Sequence, residues 1–186
     1  SSQLRSLHGL WRIWFQPGST LEYYPLLHTV FWLLHRVFGD ATLGYHLINI
    51  FLHFLTSILL VLLLWQLKVR GAYLAGALFA LHPVHVESVA WISEMKNTLS
   101  GFFCLASALF YLHFDRTRKS TFYHWAMGLF VLSLLSKTIA PTLPAALAVI
   151  FWWKKGGLCW RKDLRPLAGF FMVGIAFSLF TVWSER

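Results

Sequence analysis

The run from Leu43 to Leu67 is 25 residues long and contains no Asp, Glu, Lys or Arg. A membrane-spanning helix needs about 20 predominantly apolar residues. Inside hydrocarbon every backbone polar group must be paired within its own segment, so such a run folds as a helix. Four shorter apolar blocks follow it: Asn97 to Phe114, Phe122 to Ser136, Thr138 to Trp153 and Leu167 to Trp183. A further block, Ala72 to Leu81, is ten residues long before His82 and Pro83 interrupt it. Hydrophobic residues are 58% of the 186 and charged residues 12%, whereas soluble domains are about half apolar and about a quarter charged. The expected fold class is therefore all-α: a polytopic membrane helix bundle of about six spanning helices.

The formal net charge of +9 does not make this a nucleic-acid-binding protein. Its basic residues sit between apolar blocks instead of covering one solvated face, so they read as topology signals. If the chain from Ala72 to Ile92 crosses, then Lys68, Arg70, Arg116, Arg118, Lys119, Lys154, Lys155, Arg161, Lys162 and Arg165 share one side. Those are ten of the sixteen Lys and Arg residues, in three short loops, and mark the cytoplasmic face. Without that crossing, two of the ten move to the opposite side. The crossing also leaves Glu22, Asp40, Glu87, Glu94 and Glu185 outside, five of the seven acidic residues.

Two domains follow: residues 1–42 as an extracytoplasmic loop and 43–186 as the helical bundle. The loop carries two amphipathic stretches. From Leu4 to Phe15, Arg5, His8 and Arg12 recur on one stripe, opposite Leu4, Leu7, Trp11, Trp14 and Phe15. From Leu26 to Phe38, His28, His35 and Arg36 stand against Leu27, Val30, Phe31, Leu34 and Phe38. Cationic helices with aromatic apolar faces lie flat among lipid headgroups, and Gln16-Pro17-Gly18-Ser19 separates the two. Cys104 falls in an apolar block and Cys159 in a basic loop, so no disulfide is expected. The chain opens at Ser1 with no signal peptide pattern and stops just after an apolar block, as a segment of a longer polypeptide would.

The chemistry concentrates in the stretch from His82 to Asn97. The preceding ten-residue block supplies about 15 Å of helix against a hydrocarbon core about 30 Å thick. His82, His85 and Glu87 thus begin below the outer surface, where ionisable groups are costly and mark functional sites. The alternative is an ordinary outer loop with surface charges. Lys137 lies in a turn between two apolar blocks on the same side, where a recessed cation suits an anionic headgroup or a diphosphate, or merely snorkels to lipid phosphate. His46, Asn49 and His53 share one face of the first helix, a pattern suited to interhelical hydrogen bonding. Haem would need opposed ligands across a pocket. The one metal site the residues suggest is half of a divalent-ion site from His82, His85 and Glu87.

Several of these motifs occur together, in this order, in one family. They are Glu22-Tyr23-Tyr24-Pro25-Leu26, Gly44-Tyr45-His46 with Asn49 and His53, the block His82 to Glu94, and Ser136-Lys137. Over essentially its whole length the chain resembles the membrane part of GT-C-fold glycosyltransferases of the transmembrane-and-tetratricopeptide-repeat kind, especially bacterial members. The resemblance implies transfer of a sugar from a polyprenyl-phosphate donor to an acceptor, often a protein hydroxyl, outside a bacterial inner membrane. It also implies that an acidic motif and a first spanning helix precede Ser1, and that repeats follow Arg186. Relatives often carry Arg at the position of Met95.

Glycosyl transfer needs a carboxylate to take the acceptor proton and a cation or metal ion to stabilise the departing phosphate. Glu87 is the first candidate for the acidic role and Glu22 the second. His82 and His85 are candidate phosphate or metal ligands. Lys137 would hold the lipid phosphate, with Lys96 a second cation. A non-catalytic membrane subunit, packing its ten Trp and seventeen Phe against lipid or other subunits, is the alternative.

Overall fold

The computed structural model describes residues 7–16, 23–137 and 140–184; Leu4, Arg5 and Glu22 lie outside them. The described residues form helices and turns, with no strand among them. Two helices precede the first long one: α1 (Leu7–Phe15) and α2 (Pro25–Phe38). The bundle follows as α3 (Thr42–Gln66), α4 (Ala72–Leu81), the one-turn α5 (Val86–Ala90), α6 (Met95–Thr117), α7 (Ser120–Ser136), α8 (Leu143–Lys155) and α9 (Arg165–Ser184).

Side-chain contacts fix the directions of these helices. Thr98 of α6 meets Asn49 of α3 near one end, and Arg116 meets the Gln66 carbonyl at the other, so α3 and α6 run parallel. Between them in sequence, α4 runs back along α3: His53 bonds the Ala80 carbonyl and Val61 lies against Gly76. Gly76 is required there, since a Cβ would stand 2.2 Å from the Val61 Cγ2. α7 returns antiparallel to α6, with Ser100 bonded to Ser133 and Ser107 to the Ala126 carbonyl. Small hydroxyl side chains let two helix backbones approach while pairing every polar atom.

These four helices thus alternate in direction, but the expected count of six spans is not supported. By length and composition three reach membrane-crossing size: Thr42–Gln66, Ile92–Thr117 (the turn before α6 included) and Trp160–Trp183. The others fall short of about 20 residues: α4 has 10, α7 has 17 and α8 has 13. His82-Pro83 stops α4, since the ring removes an amide donor and forces the preceding residue extended. Lys137, at φ −163°, ends α7 in extended backbone.

The core is aromatic. Tyr111 packs edge-on to Phe170 at 5.1 Å and against Phe151 at 5.8 Å, while Phe130 lies 5.1 Å from Phe170. These rings join α6, α7, α8 and α9. A second cluster of Tyr24, Leu27, Leu34, Met95 and Leu99 docks α2 onto the bundle. The apolar stripe of α2, expected to lie in headgroups, is therefore turned toward protein: Leu27 and Leu34 are buried, and Val30 and Phe31 pack beside them. Met95 is wholly buried there, which explains an apolar residue at this position: a guanidinium in that packing would be desolvated and unpaired. On α1, Trp11 and Phe15 remain exposed, 5.6 Å apart, and suit the interfacial role.

Charge separates the two ends of the bundle. Lys155 pairs with Asp115 at 3.0 Å and with Asp163 at 2.6 Å, and Arg118 reaches Asp115 and the Lys162 carbonyl. The basic loops expected on one side do meet at one end. His82, His85, Asn97 and Lys137 lie at the other.

Candidate functional site

At that second end a cavity of about 330 Å³ opens between α3, α4, the turn leading into α5, α6 and the segment after α7. Its wall is apolar at Phe79, Gly101 and Cys104 and otherwise rich in hydrogen-bonding groups: His53, Thr56, His85, Ser88, Asn97, Thr98, Ser100, Lys137 and Thr142.

Asn49 is the anchor of this wall. It has no exposed surface, and its amide nitrogen donates to both the Ser88 and Val89 carbonyls at 2.8 Å. Its oxygen accepts from the Thr98 hydroxyl. One side chain of α3 thereby ties the last turn of α5 to α6. His53, one helical turn farther along α3, donates from Nε2 to the Ala80 carbonyl at 3.2 Å, holding the end of α4. Asn49 and His53 are thus the interhelical hydrogen bonders that their shared face suggests; His46 is half-buried.

Asn97 is the hub. Its amide nitrogen donates to Glu94 Oε2 at 2.7 Å and to the Ser88 hydroxyl at 3.0 Å. With both donors directed that way, its oxygen faces the cavity and accepts from the Lys137 ammonium. The Lys137 charge is therefore linked through a neutral amide to the Glu94 carboxylate. Lys96 lies 3.8 Å from Glu94 on the rim and does not line the cavity.

The histidines form an aromatic face. The His85 ring is 4.3 Å from Phe79 and 5.2 Å from His53, and His82 follows at 6.3 Å from His85. The His82 Nδ1 accepts from the Val84 amide at 3.2 Å, which leaves the proton of the neutral ring on Nε2. Partial burial first, then the nearby charges of His53 and His82, holds the His85 pKa below the ordinary imidazole value. His85 is accordingly neutral at pH 7.

Glu87 is not where its charge and depth suggest. It is exposed, outside the cavity wall, while its neighbour Ser88 lines it. Helical periodicity is the reason. Positions 85 and 88 share a face, and position 87, two residues after His85, is rotated about 200° away. The same geometry separates the expected metal ligands. His85 and Glu87 point to opposite sides, and no group of three or more His, Cys, Asp or Glu among the described residues could hold a metal ion. The residues present do not fit the divalent ion considered above. Glu94 and Asn97, passed over in the sequence, carried one signal: their spacing of three ahead of an apolar run, which puts both on one face.

Comparison with known proteins gives several relatives of one kind. The chain is 33% identical over 140 residues to a protein O-mannosyl-transferase of Caenorhabditis elegans, a match covering 72% of this chain and 20% of that protein. It is 36% identical over 110 residues to the protein O-mannosyl-transferase tmtc2 of Xenopus laevis, covering 58% of this chain and 13% of that one. To the protein O-mannosyl-transferase TMTC2 of Homo sapiens it is 34% identical over 115 residues, 60% of this chain and 14% of the relative. The chain thus spans a fifth or less of the length of these relatives, which are animal proteins. No family model matches it, and no solved structure does.

Proposed function

We propose that this chain is the donor-phosphate-binding part of a glycosyltransferase that moves a sugar, mannose by analogy with its relatives, from a polyprenyl-phosphate carrier to a protein hydroxyl. The observation that carries the reading is Lys137, a cation held at a cavity wall by Asn97, at the end of the bundle away from the basic loops. The names of the relatives supply the reaction class.

In this reaction the acceptor hydroxyl gives its proton to a carboxylate base as its oxygen attacks the anomeric carbon, and the bond from that carbon to the phosphate oxygen breaks. The phosphate leaves with the electron pair, so its negative charge grows in the transition state. A preorganised cation at that oxygen stabilises the transition state more than the ground state. Lys137 supplies that cation, while neutral His85 and the Ser88 hydroxyl offer hydrogen bonds to the other phosphate oxygens. Glu94 is a positioning residue: it fixes the Asn97 amide so that its oxygen faces Lys137. The topology that suits this arrangement puts residues 1–42 and 82–96 outside the cytoplasm, with α4, α7 and α8 as short traverses beside the three long helices.

The test uses the full-length protein in liposomes with polyprenyl-phosphate mannose and a protein acceptor. Lys137→Ala should lower transfer about 100-fold, and Lys137→Arg should recover part of the loss. Transfer at the normal rate by Lys137→Ala overturns the reading.

A further inference from the structure

At the opposite end, away from any sugar chemistry, α3 and α6 part to leave a cleft of about 480 Å³. Leu62, Trp65 and Leu109 form its apolar wall, and Lys68, His113 and Arg116 its mouth. A smaller hollow of about 230 Å³ continues it past Phe110 and Phe122. Lys154, in the last turn of α8, stands within electrostatic reach of both Arg116 and Lys68. Two cations, Lys68 and Arg116, thus line the opening and Lys154 lies near enough to feel both.

Asp115 also acts on Lys154, but its direct contacts are to other cations. Among the described residues the two acids of this end are Asp115 and Asp163, and Lys155 and Arg118 engage them. Arg116 spends one donor on the Gln66 carbonyl. Lys68 stands at φ +60°, in left-handed backbone where glycine is at home. Trp65, Trp153 and Trp160 are exposed around the same end, and exposed indoles settle at headgroup level.

We infer that this cleft binds an anionic phospholipid of the same leaflet, its phosphate between Lys68, Arg116 and Lys154 and one acyl chain along Leu62 and Leu109. Basic pockets between membrane helices recognise anionic headgroups, since each Lys or Arg adds attraction in a medium that screens poorly. The apolar wall decides for a lipid over a soluble anion: a free phosphate would use the mouth and leave the Leu62–Leu109 groove to detergent.

Full-length protein purified in detergent gives the test, with bound lipid read by native mass spectrometry. Phosphatidylserine should be retained over phosphatidylcholine. Lys68→Gly, which suits the backbone at that position, combined with Lys154→Gln should weaken retention about 25-fold, roughly five-fold per cation. Lys154→Gln alone should weaken it about five-fold, and Lys119→Gln should leave it unchanged. Equal retention of the two lipids, or a double variant that binds like the parent, overturns the inference. So does competition by millimolar inorganic phosphate that fully displaces the lipid, which would make this a soluble-anion site.

Discussion

The ammonium of Lys137, in the segment after α7, bonds the side-chain oxygen of Asn97, forty residues earlier on α6. A cation that could have snorkelled to the membrane surface is instead drawn inward by a neutral acceptor whose own orientation is set by Glu94 and Ser88. Its charge is kept at the cavity wall without being cancelled there by direct contact with a carboxylate. That is the condition a phosphate-binding cation needs.

Two carboxylates separated by seven residues should behave oppositely. Glu94→Gln exchanges an acceptor for an amide that can present a donor to Asn97, so the Asn97 side chain flips and Lys137 loses its acceptor. Transfer by the full-length protein should fall ten- to 100-fold, through kcat more than KM. Glu87→Gln, on the exposed face of α5, should stay within about two-fold. A large loss for Glu87→Gln with none for Glu94→Gln would reverse the assignment.

Removal of the Asn49 amide should loosen the cavity wall. Asn49→Leu keeps the volume but leaves the Ser88 and Val89 carbonyls and the Thr98 hydroxyl without this partner. A loss of about 2 kcal/mol in unfolding stability is expected, measured by denaturant titration in micelles. Unchanged stability would show that the turn holds without its anchor.

The histidine face sets a pH limit on stability. The folded state disfavours protonated His85, so the unfolded chain binds the proton more readily. The stability tied to this group is therefore complete above about pH 6.5 and is lost as pH falls through the lowered folded value. His85→Phe, which can still stack on Phe79, should flatten the decline of the melting temperature below pH 6. An identical decline in parent and variant would assign the effect to other groups.

Sidedness can be read by labelling single cysteines in intact membranes of a chain freed of Cys104 and Cys159. Cysteines at Ser93 and at Lys119 should be modified from opposite sides, since α6 separates them along its length. Modification of both from one side would show that Ile92–Thr117 does not cross.

Helix positions were legible in the sequence because apolar block length and breakers act locally. Ala72–Leu81 ends at His82-Pro83 as read, and the run ending at Ser136 stops there. The basic loops were legible as one cluster for the same reason. Three of the apolar blocks form helices of crossing length and three form shorter ones, because block length is local whereas the number of crossings is not. The site was half legible. His85 and Lys137 stood out by depth and charge, while Asn97 and Ser88 are ordinary polar residues that matter only through partners distant in sequence. Glu87 lies outside the cavity lining, and depth says how costly a charge is but not which way a one-turn helix aims it.

The ion pairs of Lys155 with Asp115 and Asp163 join the feet of α6, α8 and the segment leading into α9. The opposite rim is joined by hydrogen bonds of the Asn49 and Asn97 amides, the Thr98 and Ser88 hydroxyls and the Lys137 ammonium. Stiffness is therefore graded along the axis, as in a pair of tongs riveted at the base. On the proposed reading, a donor entering at the rim meets the end held by hydrogen bonds, while ion pairs hold the base.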